Sequence, residues 1–269
     1  MSPLAVNTIL IVLGLTPSLV WFYFYSRKDC HPEPKNLLAQ TFLMGIIISP
    51  IAILLQFSFV QFSSTITGMS QTLTQNTSYF FLWAAAVEEV IKFYAIRLLI
   101  MRRREFDEPI DAMIYMITAG LGFAAMENIL AMFRVFPEGA KDLLSVWALR
   151  FTGATLLHAL SSGLTGYFLA MSWFFQDHKK KLIVIGLAIA TIFHFTFNIF
   201  LSTFSDPDER LTALIYSTSL LLIMAFLVSI LFDKIKERHT KTTAGMATVI
   251  SPALAGKGGV SNKVINLLG

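Results

Sequence analysis

Long apolar runs separated by short polar segments make up most of this chain. Seven runs stand out, at residues 4–25, 37–57, 79–101, 110–134, 147–175, 182–204 and 212–232. A helix of roughly 20 apolar residues crosses the hydrocarbon core of a bilayer. The pattern therefore predicts an all-α protein, a polytopic transmembrane helical bundle of about seven spans.

The same pattern divides the chain into three parts. Residues 1–36 hold the first span and a basic connection, and residues 37–232 hold the transmembrane core. Residues 233–269 follow the last apolar run and include many Thr, Gly, Ala, Ser and Lys residues. This composition predicts a flexible cytoplasmic tail.

Composition excludes several other classes of protein. Only 14% of the 269 residues are charged and 55% are apolar, whereas roughly 25% are charged in an ordinary soluble domain. The net charge of +4 comes from short basic clusters rather than one contiguous basic face, so we expect no nucleic-acid partner. One cysteine, Cys30, excludes an intramolecular disulfide and a cysteine-based zinc cage. The expected environment is the lipid bilayer of the cell membrane, and the oligomeric state stays open.

The distribution of Lys and Arg predicts the orientation in the membrane. Most of the 21 basic residues follow spans one, three and five or lie in the tail: Arg27, Lys28, Lys35, Arg102, Arg103, Arg104, Lys179, Lys180, Lys181, Lys234, Lys236, Arg238, Lys241, Lys257 and Lys263. Basic connections face the cytoplasm. We therefore expect the N-terminus outside and the C-terminus in the cytoplasm.

Spans three to six each carry polar residues that a membrane disfavours. The four clusters are EExxK (Glu88, Glu89, Lys92), FxxxE (Phe123, Glu127), HxxxS (His158, Ser162) and HxxxN (His194, Asn198). An ionisable group at mid-span costs about 2.5 to 3.5 kcal/mol, so each is a candidate functional residue. Counted from the outer span ends, the ionisable groups lie roughly 10 to 17 Å deep. The sequence predicts that they meet in one polar pocket.

Carboxylates and imidazoles in such a pocket suit hydrolysis. Glu88 or Glu89 is the candidate general base, and His158 and His194 are candidates for water activation, oxyanion donation or metal ligation. Because the pocket is not the main packing core, we expect replacement of Glu89 or His194 to leave folding nearly intact.

Two further side chains complete the candidate catalytic set. Glu127 suits a ligand, a proton shuttle or a partner that fixes a histidine tautomer. Asn198, like Ser162, suits an orienting or oxyanion-stabilising group. A catalytic zinc takes three protein ligands, which here would be His158, His194 and either Glu127 or Glu89. The chain lacks the HExxH helix that usually marks such a metal site.

In this order on successive spans, the four motifs resemble those of the PrsW family of intramembrane proteases. The acidic segment 107–111 is also similar to that family. Related CAAX prenyl endopeptidases and bacteriocin-processing enzymes typically have His where this chain has Glu127. The resemblance covers residues 84–198.

The resemblance implies an integral-membrane endopeptidase that cuts a single-span membrane protein on the extracytoplasmic side. The best-known role in the family is first-site cleavage of an anti-sigma factor. The family has been described as a metalloprotease, whereas the related prenyl endopeptidases resemble glutamate-based enzymes that need no metal. The adjacent Glu88 and Glu89 favour the glutamate mechanism.

Two other functions fit the same residues. Chains of Glu and His also form proton relays, so a proton-coupled transporter is one alternative. Many transporters show internal repeats, and none is recognisable between spans one to three and four to six. A sensor that kept the protease fold without its chemistry is the other alternative, which the intact glutamates and histidines disfavour.

Overall fold

A computed structural model of the chain describes residues 2–29, 31–203 and 209–255, with side chains described as far as residue 243. The described residues form nine α-helices. These are α1 (Pro3–Ser26), α2 (Lys35–Thr67), α3 (Gln71–Gln75), α4 (Ser78–Leu99), α5 (Asp111–Val135), α6 (Ala140–Leu149), α7 (Thr155–Phe174), α8 (Lys179–Thr203) and α9 (Arg210–Ala255). Cys30 and the end of the predicted tail, 256–269, lie outside the described residues.

The predicted all-α polytopic bundle is confirmed. Six helical segments of the described chain are long and apolar enough to cross a membrane. The helix α4 is not among them, because its two glutamates, Lys92 and Arg97 add charge to an otherwise apolar run. The count of seven spans and the orientation of the termini stay predictions.

Two helices extend beyond the apolar runs that predict them. The helix α2 continues to Thr67, and the hydroxyls of Ser58 and Thr65 bond to carbonyl oxygens four residues back. Such bonds satisfy polar side chains within a helix. The helix α9 continues to Ala255, well into the predicted flexible tail. The Lys, Glu and Arg residues that end the apolar run are themselves strong helix formers.

The helix α5 lies at the centre of the bundle, packed against α1, α2 and α7. In its most apolar stretch 67% of the residues are buried, against 22–28% in the other candidate spans. Against α2 this packing is backbone on backbone: a Cβ at Gly122 would lie 2.0 Å from the Phe42 carbonyl oxygen. A Cβ at Gly45 would lie 2.2 Å from the Ala119 carbonyl oxygen. Only glycine permits this separation.

A second close contact joins α5 to α7. A Cβ at Gly120 would lie 2.3 Å from Ser162 Oγ and 2.7 Å from the His158 carbonyl oxygen. Glu127 lies about two helical turns further along α5. The contact at Gly120 therefore sets how closely Glu127 and His158 approach each other.

We expect Gly122→Ala to destabilise the protein by about 1–3 kcal/mol, because the new methyl group meets the α2 backbone rather than a movable side chain. Thermal unfolding in detergent measures the effect. Gly153→Ala is the matched control, since its Cβ would meet only the Phe197 ring, at 3.4 Å. Equal melting temperatures for the two variants would contradict the proposed close contact.

Candidate active site

Four helices contribute to one buried polar cluster. Its central members are Glu88, Glu89 and Lys92 from α4, Glu127 from α5, His158 and Ser161 from α7, and His194 from α8. The chain is thus folded so that groups far apart in sequence form one hydrogen-bonded network at one level of the bundle.

Glu89 accepts three hydrogen bonds on a single oxygen. Its Oε1 accepts from Lys92 Nζ at 2.8 Å, His194 Nδ1 at 2.9 Å and Ser161 Oγ at 3.0 Å. The side chains of Glu89 and Lys92 are both fully buried. The other oxygen of Glu89, Oε2, is buried without a hydrogen-bond partner among the described residues. Glu89 therefore anchors three neighbours.

The partners of His158 determine its tautomer. Lys92 Nζ lies 2.8 Å from His158 Nδ1 and can only donate, so Nδ1 is the acceptor. The proton then lies on Nε2, which donates to Glu127 Oε2 at 3.0 Å. The Lys92 ammonium group also lies 4.9 Å from the centroid of the Phe123 ring, a favourable cation–π distance.

Arg150 is the second side chain that holds Glu127. Arg150 Nη2 donates to Glu127 Oε2 at 3.0 Å, and its Nε donates to Asn128 Oδ1 at 2.6 Å. Asn128 in turn donates to Thr155 Oγ1 at 2.9 Å. Arg150 begins a π-helical turn, Arg150–Ala154, that joins α6 to α7. Such turns are frequent at functional sites, and here the turn brings Arg150 and Thr155 against α5.

Glu88 presents a free oxygen to both histidines. Gln56 Nε2 donates a hydrogen bond to Glu88 Oε1 at 2.8 Å. Its Oε2 is buried and accepts no hydrogen bond from a described residue. This oxygen lies 3.6 Å from His194 Nε2 and 4.0 Å from His158 Nδ1.

Glu88, His158 and His194 each offer one donor atom within 4.8 Å of the others. Two histidines and a carboxylate form one of the common ligand sets of catalytic zinc. From the sequence we considered Glu127 or Glu89 as the carboxylate ligand. In the structure these two groups instead bind the opposite nitrogens of His158 and His194, the position from which carboxylates orient metal-binding histidines.

Comparison with known proteins identifies the family. The sequence profile described as PrsW family intramembrane metalloprotease matches residues 33–231. The chain belongs to this PrsW family. It is a multi-pass membrane protein of an intramembrane protease family.

Curated PrsW proteases match over most of their length. The chain is 26% identical to Protease PrsW of Oceanobacillus iheyensis, over 74% of this chain and 86% of that protein. It is 27% identical to Protease PrsW of Clostridioides difficile, over 71% of this chain and 79% of that protein. It is 24% identical to Protease PrsW of Bacillus subtilis, over 73% of this chain and 84% of that protein. No solved structure matches the chain.

Two of the predicted polar residues of this PrsW family member lie apart from the network. Asn198 is partly buried and forms no side-chain hydrogen bond with a described residue. Ser162 Oγ is buried without a described partner, at the contact with Gly120. Its neighbour Ser161 bonds to Glu89 instead. Adjacent helical residues point about 100° apart, so the spacing of four from His158 predicts Ser162, whereas Ser161 is the serine that joins the network.

Sequence reasoning missed Arg150 and Gln56. Arg150 lies within the predicted span 147–175, so its charge was a usable signal. Gln56 is a polar residue near the end of the predicted span 37–57. Neither occurs in the four motifs, and their role depends on contacts between helices.

We expect Lys92→Met to destabilise the protein by about 3–5 kcal/mol, because it leaves Glu89 buried without its cation. By the same argument, Glu89→Gln leaves Lys92 unpaired and costs stability, contrary to the expectation from sequence. Unfolding in detergent by heat or denaturant measures both losses.

The double variant Lys92→Met/Glu89→Gln tests the pairing itself, since it should recover part of the stability lost in either single variant. Lys241→Met is the control: this lysine also pairs with a glutamate, but its side chain is 73% exposed. A Lys92→Met protein as stable as the unmodified protein would contradict the proposed charge compensation.

Proposed function

We propose that this PrsW family member hydrolyses peptide bonds of single-span membrane proteins near the extracytoplasmic side of the membrane. First-site cleavage of an anti-sigma factor is the proposed physiological role. The observation that carries the proposal is the free Oε2 of Glu88, which is buried and faces a nitrogen of each histidine. A carboxylate held in this way suits the activation of water or the binding of a metal ion.

We further propose that Glu88, His158 and His194 hold a zinc ion. The close donor atoms, the unpartnered oxygen of Glu88 and the carboxylate behind each histidine support this assignment. When bound, zinc supplies a Lewis acid that polarises a carbonyl group and acidifies a bound water molecule.

The surrounding residues position these three side chains. Glu89 accepts the Nδ1 proton of His194, so that the lone pair on Nε2 faces Glu88. Glu127 accepts the Nε2 proton of His158, so that the lone pair lies on Nδ1. Gln56 fixes one oxygen of Glu88 and leaves the other free.

A metal-independent glutamate mechanism is the second candidate, and the position of Lys92 favours it. Lys92 Nζ donates a hydrogen bond to His158 Nδ1, and a metal ion would need the lone pair that accepts this bond. In this mechanism Glu88 Oε2 takes a proton from water as the water attacks the peptide carbonyl carbon. The same carboxyl group then returns the proton to the leaving amine nitrogen.

We expect the purified protein in liposomes to cleave at least one of a panel of tagged single-span membrane proteins. Glu88→Gln should slow cleavage by about 100-fold or more under either mechanism, because it removes the free carboxylate oxygen. Glu138→Gln, at an exposed position, should cleave like the unmodified protein. Gel analysis with mass spectrometry of the products measures the rates and locates the scissile bond.

Metal analysis of the same samples separates the two mechanisms. The metal site is supported if the protein holds about one zinc ion per chain and Glu88→Gln lowers this content. Activity should then be lost on addition of a chelator and restored by zinc. Full activity after chelation, without zinc, supports the glutamate mechanism. Proton uptake into liposomes without cleavage of any panel member would contradict the protease assignment and favour a transporter.

We expect Gln56→Leu to lower kcat about 10- to 100-fold with little change in KM, because Gln56 orients Glu88 rather than binding substrate. Steady-state kinetics on a cleaved panel member measure both constants. Gln61→Leu, a matched change at an exposed position of the same helix, is the control. A change in KM alone would contradict the positioning role.

A further inference from the structure

A second acidic cluster lies far from the candidate active site. Asp29 and Glu33 lie in the connection between α1 and α2, and Asp111 is the first residue of α5. One oxygen from each lies within 4.8 Å of the others. Their exposed fractions are 9%, 8% and 1%, respectively. Three carboxyl groups are therefore gathered in a nearly closed space.

Part of the cluster is held by hydrogen bonds from the protein. Asp111 Oδ2 accepts the backbone N–H groups of Asp107 at 3.0 Å and Glu108 at 2.7 Å. The hydroxyl of Tyr115 donates to Glu33 Oε2. These bonds fix the positions of two carboxylates.

Asp29 has an oxygen without a partner. Its Oδ1 accepts the backbone N–H of His31 at 3.0 Å. Its Oδ2 is buried and has no hydrogen-bond partner among the described residues. A buried oxygen beside two other carboxylates lacks the donor that such a group requires.

The ion pairs of the described residues do not include the cluster. Within the described ranges, Lys, Arg and His form no ion pair with Asp29, Glu33 or Asp111. His31 pairs with Glu108 instead, at 2.9 Å. Among the described residues, three acidic groups are thus gathered without a paired cation, an arrangement that a bound cation would stabilise.

A route for such an ion is present. Asp29 and Glu33 line a cavity of about 780 Å³ between the ends of α1 and α2, together with Arg27 and Lys35. Most of the other lining residues are apolar, such as Phe22 and Leu38. Two of the three carboxylates are thus reached from a cavity large enough for a hydrated ion.

We propose that Asp29, Glu33 and Asp111 bind a divalent cation that prefers oxygen ligands, such as Ca²⁺, Mg²⁺ or Mn²⁺. The donors are all carboxylate oxygens, the ligand type that these hard cations select. Asp111 precedes Glu127 by 16 residues of one helix, about 24 Å along its axis. The cation site is therefore separate from the candidate active site, and it ties the α1–α2 connection to the central helix.

Binding of Mn²⁺ to the full chain in detergent tests the proposal, with the loss of the free-ion EPR signal as the readout. The background protein carries Glu88→Gln, which removes a ligand of the proposed zinc site. We expect stoichiometric binding to this protein, competition by Ca²⁺ or Mg²⁺, and a melting temperature that rises with cation concentration. The experiment needs no substrate, so its result is independent of the proposed protease activity.

Asp29→Asn and Glu33→Gln, each in that background, should weaken Mn²⁺ binding at least tenfold, because each removes a charged ligand. Asp177→Asn, at an exposed position, is the matched control and should bind like the background protein. Two outcomes would overturn the proposal. One is no binding at millimolar Mn²⁺, and the other is undiminished binding by folded Asp29→Asn and Glu33→Gln proteins.

Discussion

Charge compensation inside the bundle is the constraint on which the structure depends. A carboxylate buried without a partner costs several kcal/mol, and Glu89 is fully buried. Lys92, three residues later, supplies the opposite charge, and Arg150 does the same for Glu127. Each cation also holds a second group of the site, His158 and Asn128 respectively. Stability and the orientation of the candidate catalytic groups therefore rest on the same contacts.

Small residues set how closely the neighbouring helices pack against the central α5. Close backbone contacts at Gly120 and Gly122 bring α7 and α2 against it. These contacts also bring Gln56 of α2, Glu127 of α5 and His158 of α7 into reach of the α4 glutamates. A network of hydrogen bonds of about 3 Å tolerates little displacement, so the glycine contacts are a condition for its geometry.

The sequence was most informative where apolar and ionisable residues contrast. Runs of apolar residues predicted the all-α bundle, and charges inside them pointed to Glu88, Glu89, Glu127, His158 and His194, which the structure brings together. Spacing within one helix was less informative. It could not distinguish Ser161 from Ser162, because that choice depends on how α7 is rotated against α4.

The contact of Arg150 with Asn128 depends on a π-helical turn, and the chain carries no short motif that predicts one. The cluster of Asp29, Glu33 and Asp111 joins the α1–α2 connection to the first residue of α5, and three helices separate these along the chain, so only the fold creates this proximity.

The position of Lys92 links the two candidate mechanisms. Glu88, Glu89 and Glu127 bring the negative charge of three carboxylates into the active-site cluster, and Arg150 pairs with the last of them. Lys92 offsets part of this charge and occupies His158 Nδ1. Glu89 Oε2, on the same helix, is buried without a hydrogen-bond partner in the described part of the chain. It could therefore accept the N–H that Lys92 now donates to His158. A shift of Lys92 between these two acceptors would free His158 Nδ1 as a ligand while keeping the ammonium group paired. The proposed zinc site would require Lys92 to leave His158 Nδ1, whereas the proposed glutamate mechanism leaves Lys92 where the structure has it, so one hydrogen bond of Lys92 separates the two proposals.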